Sequence, residues 1–272
     1  EHYYRMYRTL PTEIAPQTQT PTGLTREYQG VQVFEGAYNY LGMRVVPSWG
    51  GSMFEALMVT LFIPEASWAP SSWGTNHPLY VRGQIEHGLR EMKYGFWGFS
   101  PSFRPIGGYE VYGVKGLGTY QDGYLSFDVA WGLPQAMATL ITHEIHGVVT
   151  PHASFLALPY APRESLDNLK ALRERFPIYG DLGFQDSVDV RTGMVSGHVL
   201  ALDQGMIMAA IANELTDGYL RKSFTSGAVE QVVRPLIAQE AFTAGIPDQL
   251  SGSDSFAPRI ARGARDGDQA GQ

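Results

Sequence analysis

The chain has no cysteine among its 272 residues. Disulfides, thiolate metal sites and cysteine nucleophiles are therefore excluded. Charge is scarce as well: Asp, Glu, Lys and Arg make up 17% of the chain, below the usual quarter. Disordered chains are richer in charge and poorer in apolar residues, so this scarcity points to a large buried fraction. The net charge of -7 gives neither nucleic acid nor an anionic membrane an electrostatic reason to bind. No apolar run approaches ~18 residues, so nothing reads as a membrane span. No signal peptide is visible. The glycine-rich stretch GGYEVYGVKGLG lacks the Lys-Ser/Thr ending of a phosphate loop and the spacing of a dinucleotide turn. No G-x-S-x-G elbow occurs. His143, Glu144 and His146 spell HEIH, with the histidines three apart where a zinc protease needs four. With His152 nearby they read as loop or cleft residues, and neither a metal nor another cofactor is expected.

Present instead are many aromatic residues, 12% of the chain, and 31 glycines. Apolar periodicity and caps predict helices over 53–62, 78–93, 134–146, 163–176, 202–215 and 229–242. ASFLALPYA also reads as helical, and the chain opens on a short helix end. Ser52 is the expected cap of the first long helix, with Glu55 as its capping-box partner. Asn76 is the expected cap of the second, with Pro78 in its first turn. Residues 27–47 carry β-type pieces punctuated by Gly and Asn. The run from Gly95 to Asp128 is too long for an ordinary connector and predicts a functional loop or one with its own hairpin. The expected fold class is all-α, mainly helical, with long aromatic and glycine-rich loops and short β-hairpins. One domain is expected over 1–258, followed by a flexible tail over 259–272.

Loops of this kind build clefts at one end of a helical core. Trp49, Trp73, Trp97, Tyr109, Tyr112 and Tyr160 are the expected lining, because aromatic faces stack on sugar rings. The competing reading for each is a core side chain, since aromatics dominate buried area.

Four stretches in order, SWGGSMFEALM, YGFWGFSPS, VTPHASFLALPYAP and ALDQGMIMAAIANEL, resemble the bacterial glucoamylase-like family. That family includes endo-β-1,2-glucanases and is related to the cyclisation domain of cyclic β-1,2-glucan synthases. The similarity spans roughly residues 40–222. It implies an (α/α)6 toroid acting on glycosidic bonds, and an oligo- or polysaccharide substrate. In the cyclisation-domain relatives the motif resembling Trp97–Ser102 carries an acid near its end. Here Pro101 or Ser102 stands in that place, so this loop supplies no carboxylate. Family barrels are also longer than 272 residues. The chain resembles mainly the later part of one, and a separate N-terminal segment is an expected partner that would complete it.

Glycoside hydrolysis usually needs two carboxyl groups flanking the bond. Glu55 is the first candidate. The glycines before it would let a sugar approach, and its apolar followers would raise its pKa as a general acid needs. The competing reading is a helix-capping residue. Asp203, at the start of an apolar helix, is the second candidate; a helix-start acid facing the dipole is the alternative. Glu214, on the same predicted helix, is the third. His152, Gln204 and Asn213 are candidates for binding sugar hydroxyls. The readings that follow are a glycoside hydrolase, a non-catalytic or degenerate glycan-binding barrel, and a transglycosylase. Secretion or a periplasmic location is the matching expectation.

Overall fold

The computed structural model describes residues 2–13, 17–119, 128 and 147–245. The expected 134–146 helix, the HEIH motif and the 259–272 tail lie outside the described residues.

Helices outweigh strands in the described chain, although it is not all-α. The N-terminal part adds a three-stranded antiparallel sheet, β1 (Thr22–Tyr28), β2 (Val31–Tyr40) and β3 (Met43–Val45), in the order β1-β2-β3. Two-residue turns join the strands, with Tyr28 opposite Val31 and Tyr40 opposite Met43. The short His2–Arg5 helix packs on β2. Buried Arg8 ties this end of the chain to Glu240.

Beyond the sheet, three long helices each turn one stripe to a common core. Trp73–Glu86 buries Asn76, His77, Tyr80, Val81, Gly83 and Gln84. Pro162–Arg175 buries Ser165, Asn168, Leu169 and Leu172. Ala201–Leu215 buries Asp203, Met206, Ile207, Ala210 and Asn213. These are the three- and four-residue steps of one helical face. Each stripe carries a polar residue where a purely apolar one would pack, and those residues position the site.

The helix expected over 78–93 starts at Trp73 instead and passes into a π-type turn over His87–Glu91. Asn76 is not its cap. It is buried inside the helix, accepting from the Val46 amide and donating to the Val46 carbonyl. Pro78 consequently lies in the helix interior. The helix expected over 53–62 is an α-helix over Met53–Leu57 followed by a tighter turn over Met58–Leu61. Ala228–Ile237 stops five residues short of its expected end at 242. Tyr219–Thr225 is a helix the periodicity did not predict.

Candidate active site

The segment from Trp97 to Ser102 crosses the core as an extended strip, and among the described residues no neighbouring strand pairs with its inner part. Two side-chain amides do so instead. Asn168 accepts from the Trp97 amide at 3.2 Å and donates to the Trp97 carbonyl at 2.8 Å. Gln84 accepts from the Phe99 amide at 2.9 Å and donates to the Phe99 carbonyl at 3.2 Å. A buried backbone group left unpaired would cost about as much as a lost hydrogen bond, so both helical stripes carry amides at these positions.

The strip in turn holds the starts of two helices. The Met53 amide donates to the Phe99 carbonyl, and the Phe54 amide to the Ser100 hydroxyl. On the other side the Thr150 amide donates to the Gly98 carbonyl, fixing the start of the Pro151–Leu156 helix. Gly98 has φ +115°, and a Cβ there would lie 3.1 Å from both Ala153 Cβ and the Thr150 carbonyl oxygen, so a side chain would be strained twice over.

At its far end the strip enters a hairpin, Ser102–Phe103 paired with Tyr109–Glu110. The Phe103 amide donates to Asp186 Oδ2, and Ser187 donates to the Phe103 carbonyl. Val149 pairs with Val188, so the residues before His152 run beside those after Asp186. The Ala201–Leu215 helix packs on Pro151–Leu156 and brings Asp203 to the same place.

The result is a buried cluster of His152, Asp186 and Asp203, exposed 1%, 2% and 4%. His152 Nδ1 lies 3.3 Å from Asp203 Oδ1 and 2.7 Å from the Thr150 hydroxyl. Asp203 as acceptor favours the tautomer with the proton on Nδ1, which leaves a lone pair on Nε2. Among the described residues, His152 Nε2, Asp186 Oδ1 and Asp203 Oδ2 are buried without a hydrogen-bond partner. Burial first, then the neighbouring Asp203, push the Asp186 carboxyl up to about 9. Burial acts upward on Asp203 too, but His152 and then the neighbouring Asp186 outweigh it and hold Asp203 below the ordinary carboxylate range. The three side chains each offer a ligand atom within 4.8 Å of the others. Three ligands fall short of a closed four-ligand structural site. Tyr109, 52% exposed, is the neighbouring ring; burial and then the charges of Asp186 and Asp203 raise its phenol pKa.

Glu55 sits on the helix whose start is held by Phe99 and Ser100 of the strip. Ser52 caps its helix, its hydroxyl accepting from the Glu55 amide at 3.2 Å, a contact of the kind that contributes about 1 kcal/mol. The Glu55 carboxylate does not complete the box by returning to Ser52. Its Oε2 accepts from the Ser48 hydroxyl at 2.9 Å and the Gly50 amide at 2.6 Å. The glycines have a different reason from the one expected. Gly51 has φ +75°, and a Cβ there would lie 2.1 Å from the Val114 carbonyl oxygen. Gly51 thus makes room for the chain at Val114.

The family model described as "Putative glucoamylase" matches residues 15–228. The chain belongs to that family. A cyclic β-(1,2)-glucan synthase, NdvB of Rhizobium meliloti (strain 1021), is 32% identical over 218 residues, covering 74% of this chain and 7% of that protein. A β-1,2-glucanase from Parabacteroides distasonis superposes with TM-score 0.57 at 16% identity, over 75% of this chain and 27% of that one. A "putative glucoamylase" from Bacteroides caccae ATCC 43185 superposes with TM-score 0.52 at 19% identity, over 79% and 46%. The glucoamylase-like chain thus spans less than half the length of each of these relatives and shares the fold of part of the two structures.

Several expected site residues stand elsewhere in this glucoamylase-like fold. Trp97 and Tyr112 are 1% and 0% exposed and belong to the interior. Trp73 donates to the Tyr3 hydroxyl and packs edge-on against Phe242. Tyr160 is half-buried and tilts against His77. Only Trp49 and Tyr109 of the six expected aromatics are exposed. Asn213 is bound to the Leu61 carbonyl and the Arg221 amide, and Gln204 to the Phe184 carbonyl. Glu214 is exposed eleven residues along the helix from Asp203, about 16 Å at the helical rise, and cannot share its site. Two hollows of about 590 and 750 Å³ lie near Phe155 and Leu169 and near Tyr4 and Val33; Glu55 lines neither. Asp186 was not a candidate from sequence. Its signal was weak: Phe184, Asp186 and Val188 are buried, but so are Ser187 and Asp189, and no alternation singles Asp186 out.

Proposed function

We propose that the chain is the later part of an (α/α)6 toroid that cleaves a β-glucan, with a β-1,2-linked glucan as substrate, by carboxylate acid/base catalysis. Family membership supports the reaction class, and the identity with a cyclic β-(1,2)-glucan synthase supports the linkage. The observation that carries the reading is the buried Asp203–His152 pair beside exposed Tyr109, with polar atoms left over. A core has no use for such atoms, and His152 Nε2 in particular is one that a sugar hydroxyl satisfies. Glu55 donates the proton to the leaving oxygen, and Asp203 is the second carboxylate. His152 Nε2 accepts from a sugar hydroxyl, and the Trp49 and Tyr109 rings offer stacking faces.

The test is incubation with linear β-1,2-glucan beside a panel of other glucans, following new reducing ends. Wild type is expected to release them from the β-1,2-linked polymer. Glu55→Gln is expected to keep its melting temperature, since a Gln carbonyl also accepts from Ser48 and Gly50, and to lose roughly 10²-fold of the rate. Retained turnover removes Glu55 from the mechanism. The synthase relative favours a second reading, transglycosylation, which would shorten or cyclise chains with no net gain of reducing ends. No change in any glucan leaves a glycan-binding module.

A further inference from the structure

The cluster contains more carboxylate than its surroundings can hold in charged form. Asp186 and Asp203 are both buried, each has an unpartnered oxygen, and no Lys or Arg pairs with either among the described residues. His152 is the basic group in contact, and it faces Asp203. Two ionised carboxylates this close in a dry site repel and leave buried lone pairs unsatisfied.

We propose that Asp186 is a positioning residue whose carboxyl group shares one proton with Asp203, and that this proton fixes Asp203 against His152. A carboxylate oxygen of Asp186 lies within 4.8 Å of one of Asp203, and one O–H shared between the two groups accounts for both orphaned oxygens. Asp186 Oδ2 is already held by the Phe103 amide, so its orientation is set. Asp203 Oδ1 then stays turned to His152 Nδ1, and His152 Nε2 is the one buried atom of the three left for a ligand. The upward shift of Asp186 and the downward shift of Asp203 agree with the proton residing on Asp186. The groups facing Asp186 are His152 on its helix, Asp203 on its own, Tyr109 on the hairpin, and the 196–198 turn, where the Asp186 amide donates to the His198 carbonyl and His198 stacks on Phe103.

The catalytic part of this assignment rests on the proposed function, but the shared proton does not. The experiment therefore begins with a carbon-detected NMR titration of the Asp carboxyls in the intact chain. One Asp carboxyl is expected to remain protonated at pH 7 and to titrate near about 9, and Asp186→Asn is expected to remove that transition. All Asp carboxyls titrating in the ordinary acidic range would overturn the proposal. So would a high transition that survives Asp186→Asn but vanishes in Asp203→Asn. The wild-type titration decides the matter even if a variant fails to fold. Where turnover is found, Asp186→Ala is expected to lose up to about 10²-fold in kcat through misplacement of Asp203. Asp186→Asn, which can still donate to Asp203, is expected to recover part of that loss and to flatten the alkaline limb of the pH profile. Equal losses for Ala and Asn, with the alkaline limb unchanged, would overturn the positioning role. Absence of turnover on every glucan, with the titration as expected, counts against the proposed function and leaves the shared proton standing.

Discussion

Two buried histidines of this chain each sit among carboxyl groups, and they differ in what is left over. Protonated His87 donates on both sides: Nδ1 lies 2.6 Å from Glu91 and Nε2 lies 2.6 Å from Asp128. The Tyr40 hydroxyl donates to Glu91, and the Gly147 amide donates to Asp128 at 2.8 Å. Among the described residues no atom of that network is buried without a partner. Burial works against a charge on His87, yet its hydrogen bonds with Asp128 and Glu91 carry its pKa up to about 9. The His152 cluster has the same residue types and similar burial, but three of its atoms are unmatched. Residue type and burial are thus no guide to role here. Matched partners leave His87 no atom to spare, whereas the proposed shared proton still leaves His152 Nε2 without a partner among the described residues.

The comparison is broken most sharply at His87. His87→Ala removes the histidine partner that Asp128 and Glu91 share, and removing one partner of a buried ion pair typically costs about 3–5 kcal/mol. His152→Ala is expected to cost less, because it removes one ion pair, to Asp203, where His87→Ala removes two. Denaturant titration of the two variants measures this directly, and equal losses would erase the distinction.

Next comes the pH dependence. His87 binds its proton more tightly folded than unfolded, so its stabilisation is fully present below its unfolded pKa of about 6.5 and is lost as pH rises toward about 9. Asp186 acts in the same direction over a wider span, since its folded pKa of about 9 lies above the ordinary value near 4. The melting temperature is expected to fall between pH 6.5 and 9, and to fall less steeply in Asp186→Asn. A flat profile from wild type would contradict both shifts.

The smallest effect is expected at Glu214. Exposed and remote from Asp203, it should tolerate Glu214→Gln within about 0.5 kcal/mol and without change in turnover. A large loss of turnover would restore it as a candidate.

These sites were unevenly legible in the sequence. The three long helices followed from apolar periodicity, because a stripe that packs on a core repeats every three or four residues. Asp203 was visible because it interrupts such a stripe at a helix start. Glu214 was misjudged by the same reasoning, since being on one helix says nothing of the distance along it. Trp97 and Tyr112 looked like cleft residues because glycines surround them, but those glycines serve close backbone packing. Asp186 escaped because its partners are far apart in sequence: Phe103, His152 and Asp203 meet only once the strip and the Val149–Val188 pairing are in place. The partners of the strip itself, Gln84 and Asn168, read as ordinary helix polar residues until the fold shows what lies opposite them.

The amide clasps on the strip have a consequence for insertions and deletions. A strand in a sheet that gains a residue can bulge and pair again with the next backbone group along its neighbour. The strip has no such alternative, because Asn168 and Gln84 each grip one peptide and offer nothing further along. Adding or removing one residue between Trp97 and Phe103 would leave the clasps closed and move the Asp186 anchor relative to the helix of Glu55, or keep the anchor and open a clasp. Trp97 and Phe103 therefore behave as the two ends of a fixed gauge, and the length between them is a tighter constraint than the side chains it carries.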